Sequence, residues 1–312
     1  MGRRAKDDTL FATLVKTALP LLQEAERQSP RTGPGDKPKI PDWLMAALIM
    51  IVVLAKKKTK SAQYRYLCEH RKEIARWLGD KRFPSRSTYF RRYRRAHRLY
   101  RTAIRLQGEL AVAEGVTNPQ DVAVDKSLIE GQGPPWHKND RRAGEVPPGV
   151  DTDTTWGYSE HDGWVQGYSY EVVVSSTPQT VVFPLLASSD TASASEPVTF
   201  AEKIDELPRG TQSVSADAAY DANHLGERIE YDAEGRRTGR RFVCPENPRN
   251  AGRPKTKPCH ADASRALSRE RRRERQEFLK KPRGRRSYAR RKKTVEPFNQ
   301  WFKSLFELDH RV

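Results

Sequence analysis

The chain has 312 residues, with 58 Lys or Arg against 40 Asp or Glu, so its formal net charge at pH 7 is +18. This positive excess predicts a polyanionic partner. The three cysteines are too few for a disulfide framework, which favours a reducing compartment. The longest apolar run, Trp43 to Ala55, reaches about two-thirds of the length of a bilayer span, and no secretory signal precedes it. We therefore expect a cytoplasmic protein without a membrane partner.

Residues 1–115 show apolar positions at helical spacing. A first helix is predicted from Leu10 to Arg27, with Pro20 expected to kink or split it. A second, strongly apolar helix follows Asp42, which we interpret as its N-cap, and a third is predicted from Ser61 to Leu78. This pattern predicts an all-helical N-terminal domain over residues 1–115.

The next helix, predicted from Phe90 to Ile104, has an aromatic and apolar face and a separate face of arginines. No acidic residue between Lys81 and Gly108 neutralises these arginines, whereas an ordinary solvated helix face usually mixes charges of both signs. The pattern favours phosphate binding, and the short helices before it are compatible with a helix-turn-helix. The arginines that we assign to DNA binding are Arg91, Arg94, Arg98 and Arg101.

Beyond Gly115 the sequence alternates in the manner of β-strands, with helical segments between them. This order predicts an α/β fold over residues 116–312, with a mixed five-stranded sheet flanked by helices. The predicted strands are 122–129, 164–175, 180–186, 214–216 and 241–244, and the predicted helices are 197–207 and a short one capped by Asp221.

The C-terminal quarter begins with a basic segment, residues 245–287, whose low apolar content predicts a loop or marginal helix that becomes ordered on a nucleic acid. An apolar stripe at helical spacing follows it. Because Pro297 suits only a first helical turn, we expect this helix to begin close to Glu296. The stripe consists of Val295, Phe298, Phe302 and Leu305.

Three carboxylates in this region suggest a metal site. Asp125 lies on the first predicted strand and Asp217 at the end of the fourth, two strands that can be neighbours, and Glu296 belongs to the following helix. Taken alone, Asp125 and Asp217 are as compatible with a capping role as with a metal ligand, and Glu296 is compatible with a solvated ion pair. Together they would repel one another, and hard divalent cations relieve such repulsion. Two Mg²⁺ ions about 3.5–4 Å apart would activate a water or a 3′-hydroxyl for phosphoryl displacement.

The residues around these acids resemble the motifs of a cut-and-paste insertion-sequence transposase of the DDE type. The similarity covers roughly residues 120–312, whereas the N-terminal third resembles the family only in being helical and basic. The similar segments are Val122–Ser127 for the first aspartate, Ala216–Asp221 for the second, Trp156-Gly157 with Gly167-Tyr168 between them, and Glu296 with Lys303 at the family's spacing.

The resemblance implies a ribonuclease-H-like core in which Asp125, Asp217 and Glu296 are catalytic and hold two Mg²⁺ ions, for which Mn²⁺ may substitute. It implies cleavage and strand transfer on double-stranded DNA, with terminal inverted repeats and target DNA as partners. It further implies a homodimer on DNA and association with the nucleoid. In the family's Tyr-Arg-Glu-Lys segment, the residues that we assign to DNA binding are Tyr288, Arg291, Lys292 and Lys303.

Three departures from the family keep alternatives open. Tyr288 and Arg291 lie one residue farther from Glu296 than in the family, so that Lys292 stands at the usual arginine distance, and Lys126 replaces a small residue. The chain also ends soon after the glutamate, which leads us to expect a truncated or frameshifted copy. One alternative is a catalytically inactive, transposase-derived DNA-binding protein, and another is a basic RNA-binding protein.

Overall fold

The computed structural model describes residues 2–30, 38–93, 96–248 and 263–308, and the side chains of these residues except 2–10 and 263–265. The chain divides into two compact units, Met1–Gln107 and Gly108–Val312. None of the described helices combines the length and the apolar content needed to cross a bilayer.

The N-terminal unit is helical and packs around the apolar helix Asp42–Leu54, most of whose side chains are buried. Tyr89 lies in the same core, where its hydroxyl donates to Gln63 Oε1 at 3.0 Å. The described helices are Gly2–Gln28, Asp42–Leu54, Lys60–Glu69, Arg71–Leu78, Arg86–Tyr93 and Ala96–Ala113, the last of which continues beyond Gln107.

Pro20 does not split the first helix, which continues through it, and its exposure lets water satisfy the carbonyl that it leaves unpaired. Two other predictions for this unit were wrong in detail. Asp42 is the first helical residue rather than the N-cap, and its carboxylate accepts from the buried Arg92 guanidinium. The helix predicted from Ser61 to Leu78 is two helices that meet at His70.

The second unit contains a six-stranded mixed sheet, one strand more than predicted. The strands are β1 Asp121–Glu130, β2 Thr155–Ser159, β3 Gly163–Ser175, β4 Pro184–Thr191, β5 Ser213–Ser215 and β6 Arg241–Val243. Their order in the sheet is β2-β3-β1-β5-β6, with β4 also paired to β3. β1 is antiparallel to β3 and parallel to β5, which is parallel to β6.

The predicted strand 180–186 is displaced, because β4 begins at Pro184 and continues to Thr191. The helix predicted at 197–207 ends at Ala201, and a 3-10 turn follows at Ile204–Glu206. Asp221 does not cap the next helix, since its carboxylate accepts from the backbone N–H of Asn247 at 2.9 Å. The shorter helices of this unit are Lys138–Ala143, Glu196–Ala201 and Asn223–Glu230.

Two long helices complete the second unit, and we call them the arginine-rich helix, Ala263–Lys280, and the glutamate helix, Pro282–Phe306. Both extend into the segment predicted to be a loop or marginal helix, because Arg and Lys are good helix formers. The expected start near Glu296 was also wrong: Pro282 occupies the first turn, and Pro297 lies inside the helix. Residues 249–262 of the predicted basic segment lie outside the described residues.

The sheet separates two apolar clusters. Val122 and Val124 of β1 belong to the larger cluster, whereas Ala123 belongs to the smaller one with Val295 of the glutamate helix. Because side chains alternate along a strand, Asp125 lies on the same face as Ala123, the face that the glutamate helix covers. At the far end of the predicted apolar stripe, Leu305 is exposed.

Candidate functional site

Asp125 and Asp217 lie at the same end of neighbouring strands. In the parallel pair of β1 and β5, Asp121 is opposite Ser213. Asp125 and Asp217 each lie four residues farther along the chain, so both carboxylates follow the paired segment at the same edge. The structure thus shows that the first strand and the strand before Asp217 are neighbours.

Arg291 of the glutamate helix lies between the three predicted acids. Its Nη2 is 3.0 Å from Asp125 Oδ1 and 3.5 Å from Asp217 Oδ2, while its Nη1 is 2.9 Å from Glu296 Oε1. The Arg291 side chain is only 7% exposed, and that of Glu296 is 46% exposed. One guanidinium therefore holds three carboxylates that are distant in the sequence.

The two oxygens of Asp125 have different donors from the same helix. Arg291 donates to Oδ1, and Asn299 donates from Nδ2 to Oδ2 at 2.9 Å. Burial raises the pKa of Asp125 to about 6, with the Arg291 charge opposing this and the Asp217 charge adding to it. Sequence reasoning missed Asn299, although its position four residues after Val295 places it on the helix face that packs on the sheet.

Asp217 is held by the turn that follows it. Its Oδ1 accepts from the backbone N–H of Ala219 at 3.0 Å, and its backbone carbonyl accepts from the Cys244 thiol at 2.9 Å. Burial raises the pKa of Asp217, and the Arg291 charge opposes the shift. The backbone of the 3-10 turn Ala218–Tyr220 thus fixes the direction of this carboxylate.

A buried ion pair also helps to hold the same turn in place. Lys203 Nζ lies 2.6 Å from Glu171 Oε1, and both side chains are almost fully buried. Glu171 Oε2 accepts from the hydroxyls of Thr199 at 2.8 Å and Tyr220 at 2.9 Å. This network joins β3 to the turn that carries Asp217, and the sequence analysis did not identify it.

The other predicted residues of the glutamate helix lie around this centre. Tyr288 is half-buried, and burial raises its pKa. Lys292 is exposed, so Arg291 is the cation that contacts the acids. Lys303 Nζ is 3.5 Å from Asp162 Oδ2, in the turn between β2 and β3.

A family model described as the transposase DDE domain matches residues 117–311, well over half of the chain. The chain belongs to this transposase family. No curated protein and no solved structure matches it. The matched range of the transposase includes all three acids, Arg291 and the whole described glutamate helix.

Lys126, which departs from the family pattern, has a structural role in this transposase. Its Nζ donates to the carbonyl of Ala192 at 3.3 Å and to that of Ala194, and it pairs with Glu196 Oε1 at 3.2 Å. As the neighbour of Asp125 on β1, it projects to the opposite face of the sheet. The lysine therefore does not intrude among the carboxylates.

The predicted arginine face belongs to the N-terminal unit of the transposase. Arg91 and Arg98 are exposed, Arg101 is half-buried, and Arg94 lies outside the described residues. The predicted helix from Phe90 to Ile104 falls within the described helical stretches Arg86–Tyr93 and Ala96–Ala113.

The donor chemistry of the acid cluster fits a hard divalent cation. Among the described residues, no group of three or more His, Cys, Asp or Glu side chains is arranged to hold a metal ion, and the Arg291 guanidinium lies where the acids converge. Three carboxylates, one of them with a pKa of about 6, are nevertheless the ligand type that Mg²⁺ and Mn²⁺ prefer. Asn299 adds a buried amide oxygen without a hydrogen-bond partner in the described part of the chain.

Proposed function

We propose that this transposase is an active enzyme that binds the ends of a mobile element in double-stranded DNA, cleaves phosphodiester bonds there and joins them to target DNA. The proposal includes a ribonuclease-H-like architecture for the second unit and association with the nucleoid. The observation that carries it is the convergence of Asp125, Asp217 and Glu296 on the single guanidinium of Arg291.

In this proposal Asp125, Asp217 and Glu296 would hold two Mg²⁺ ions, or Mn²⁺ in their place, and the chemistry that the ions would supply is activation of a water or a 3′-hydroxyl and stabilisation of charge on the reacting phosphate. Asn299 and the Ala219 N–H keep the two aspartates in fixed directions. The planar guanidinium of Arg291 is suited to bidentate binding of a phosphate once it leaves the carboxylates. Arg291 would thus be an anion-binding group beside the three carboxylates.

The other residues that we predict to bind DNA, Tyr288 and a set of cations, contact it outside the reacting centre. On the glutamate helix they would contact the phosphates next to the cleaved bond, and in the N-terminal unit they would bind the end sequences. Synapsis of two ends would require a homodimer, a proposal that rests on the family alone. The residues proposed for DNA binding are Tyr288, Lys292, Lys303, Arg91, Arg94, Arg98 and Arg101.

Nicking of DNA that carries the inverted repeats flanking the gene tests this function. With Mg²⁺, the wild-type protein should cut at the repeat ends, and Asp125→Asn, Asp217→Asn and Glu296→Gln should each lower the rate by at least 100-fold while end binding persists. Asp190→Asn, an exposed acid on β4, is the matched control and should cut normally. Normal cutting by Asp125→Asn or Glu296→Gln would show the mechanism to be wrong.

A second candidate function is end-specific DNA binding without catalysis. It is favoured by the position of Arg291, which lies one residue off the family spacing and already neutralises the acids. In that case end binding would not respond to Mg²⁺, and no divalent cation would yield a cleaved product. Preference for RNA over duplex DNA at matched salt would instead indicate the RNA-binding alternative.

A further inference from the structure

Asn299 donates the second side-chain hydrogen bond that Asp125 accepts from the glutamate helix. It lies roughly two turns after Arg291 on the glutamate helix, and it is 7% exposed. Its Nδ2 donates to Asp125 Oδ2 at 2.9 Å, while Arg291 Nη2 donates to Oδ1 at 3.0 Å. Both oxygens of the strand aspartate are therefore bound by side chains of one helix.

The amide oxygen of Asn299 is the unexplained atom of this arrangement. Asn299 Oδ1 is buried and has no hydrogen-bond partner among the residues that the structure describes. Leaving such an acceptor unpaired costs about 1–3 kcal/mol. Reversing the amide would not help, because it would place the oxygen against the Asp125 carboxylate. The oxygen is thus held beside Asp125 without a partner in the described ranges of the chain.

An apolar residue would be the ordinary solution at this position. Val295, one turn earlier on the same face, is fully buried in the small cluster against the sheet, and Phe298 packs against that cluster. Leu has the same number and branching of side-chain heavy atoms as Asn and would remove the unpaired oxygen. The polar residue is therefore explained better by a ligand than by packing.

We propose that Asn299 is a fourth residue of the site, whose amide nitrogen positions Asp125 and whose amide oxygen binds the divalent cation, directly or through one of the cation's waters. This inference rests on the proposed function. Amide oxygens are accepted ligands for hard divalent cations. A neutral oxygen adds a ligand without adding charge, whereas a fourth carboxylate would increase the repulsion among Asp125, Asp217 and Glu296.

Binding of Mn²⁺ to the full-length protein without DNA tests the inference, with the EPR signal of free Mn²⁺ as the readout. Asn299→Leu should weaken the affinity by about 10–100-fold, the range observed when a residue that holds or orients a metal site is removed. Asn299→Asp restores an oxygen ligand but not the amide donor, so it should retain at least the wild-type affinity. Gln300→Leu, at the exposed neighbouring position, is the matched control and should bind Mn²⁺ like the wild type.

The outcomes distinguish a failure of the proposed function from a failure of the role inferred for Asn299. A wild-type protein that binds no Mn²⁺ contradicts the proposed function and this inference together. If Asn299→Leu retains the wild-type affinity for Mn²⁺, only the role of Asn299 is contradicted. An equal loss of Mn²⁺ affinity in Asn299→Leu and Asn299→Asp also contradicts it, because Asn299 would then act as a hydrogen-bond donor alone. Thermal unfolding identifies a variant that fails to fold. If either Asn299→Leu or Asn299→Asp fails to fold, the Mn²⁺ affinity of the other variant, compared with the value expected for it above, decides the result.

Discussion

Arg291 Nη2 and Asp125 Oδ1 lie 3.0 Å apart although 166 positions separate the two residues in the chain. The contact joins the glutamate helix to the central strand of the sheet through a nearly buried pair of opposite charges. Because Asp217 and Glu296 share the same guanidinium, the charge of one residue controls the mutual repulsion of all three acids.

Replacing Arg291 with Gln should therefore destabilise the protein and increase its response to divalent cations. We expect the free energy of unfolding to fall by about 3 kcal/mol without metal, since buried carboxylates lose their cation. Mn²⁺ should then raise the melting temperature more in this variant than in the wild type, because it binds the folded state more tightly.

Arg290→Gln is the control for that measurement, since Arg290 lies beside Arg291 on the glutamate helix and pairs with Asp121 of β1 at 2.6 Å in a more exposed position. It should cost no more than about 1 kcal/mol, and its response to Mn²⁺ should equal that of the wild type. Equal Mn²⁺ responses in all three proteins would contradict the idea that Arg291 and the cation compete for the acids.

Stability should fall as the pH rises from about 4 to about 6. The pKa of Asp125 is raised from 3.8 to about 6, so in this window the folded protein retains a proton that the unfolded chain releases. At about 1.4 kcal/mol per pKa unit, roughly 3 kcal/mol of unfolding free energy is lost across the window. Asp125→Asn should reduce this slope, leaving the contribution of groups such as Asp217 whose pKa burial also raises, and should be more stable than the wild type at pH 7.5.

Urea unfolding at several pH values measures this effect, with Asp190→Asn as a control that should keep the wild-type slope. A profile of Asp125→Asn that runs parallel to the wild type would show that another group is responsible.

The buried pair of Glu171 and Lys203 should be far more sensitive to single than to double replacement. Glu171→Gln leaves the Lys203 ammonium buried without its counter-charge, which we expect to cost about 3–5 kcal/mol. The double variant Glu171→Leu with Lys203→Met should recover most of that loss. Denaturant unfolding provides the comparison, and additive losses in the double variant would refute a coupled pair.

Neutralising exposed arginines of the N-terminal unit should weaken DNA binding mainly through its salt dependence. Arg91→Gln with Arg98→Gln should reduce the slope of log affinity against log salt by about 2, the effect of losing two phosphate contacts. Arg105→Gln is the matched control, because the Arg105 guanidinium donates to Gln28 and the residue is half-buried. A slope unchanged by the double replacement would remove this face from the DNA interface.

Local patterns in the sequence were sufficient to predict most of the sheet. The alternation around Asp125 and the short apolar run before Asp217 both correspond to strands, β1 and β5, and their parallel pairing brings the two acids to one edge. The strand β2 was missed because Thr155–Ser159 is short and contains Gly157. The extra strand lies at the edge of the sheet and does not alter the positions of Asp125 and Asp217.

The centre of the site was harder to predict because its burial depends on distant partners. The prediction from Pro297 placed the helix start 14 residues too late, since the Arg and Lys residues that precede Glu296 suit a helix as well as a loop. Burial of Arg291 and Asn299 depends on distant partners, among them Asp125, which accepts a hydrogen bond from each of them. Sequence spacing along one helix contains no information about such a partner.

The register of β1 makes the number of residues before Asp125 as important as their identity. Val124 lies in the large apolar cluster, whereas Asp125 faces the glutamate helix. Inserting or deleting one amino acid between Asp121 and Asp125 would invert the alternation and direct the Asp125 carboxylate into the large apolar cluster. In-frame single-codon indels here should therefore be far more damaging than most point substitutions, while paired two-codon changes would at least preserve the face.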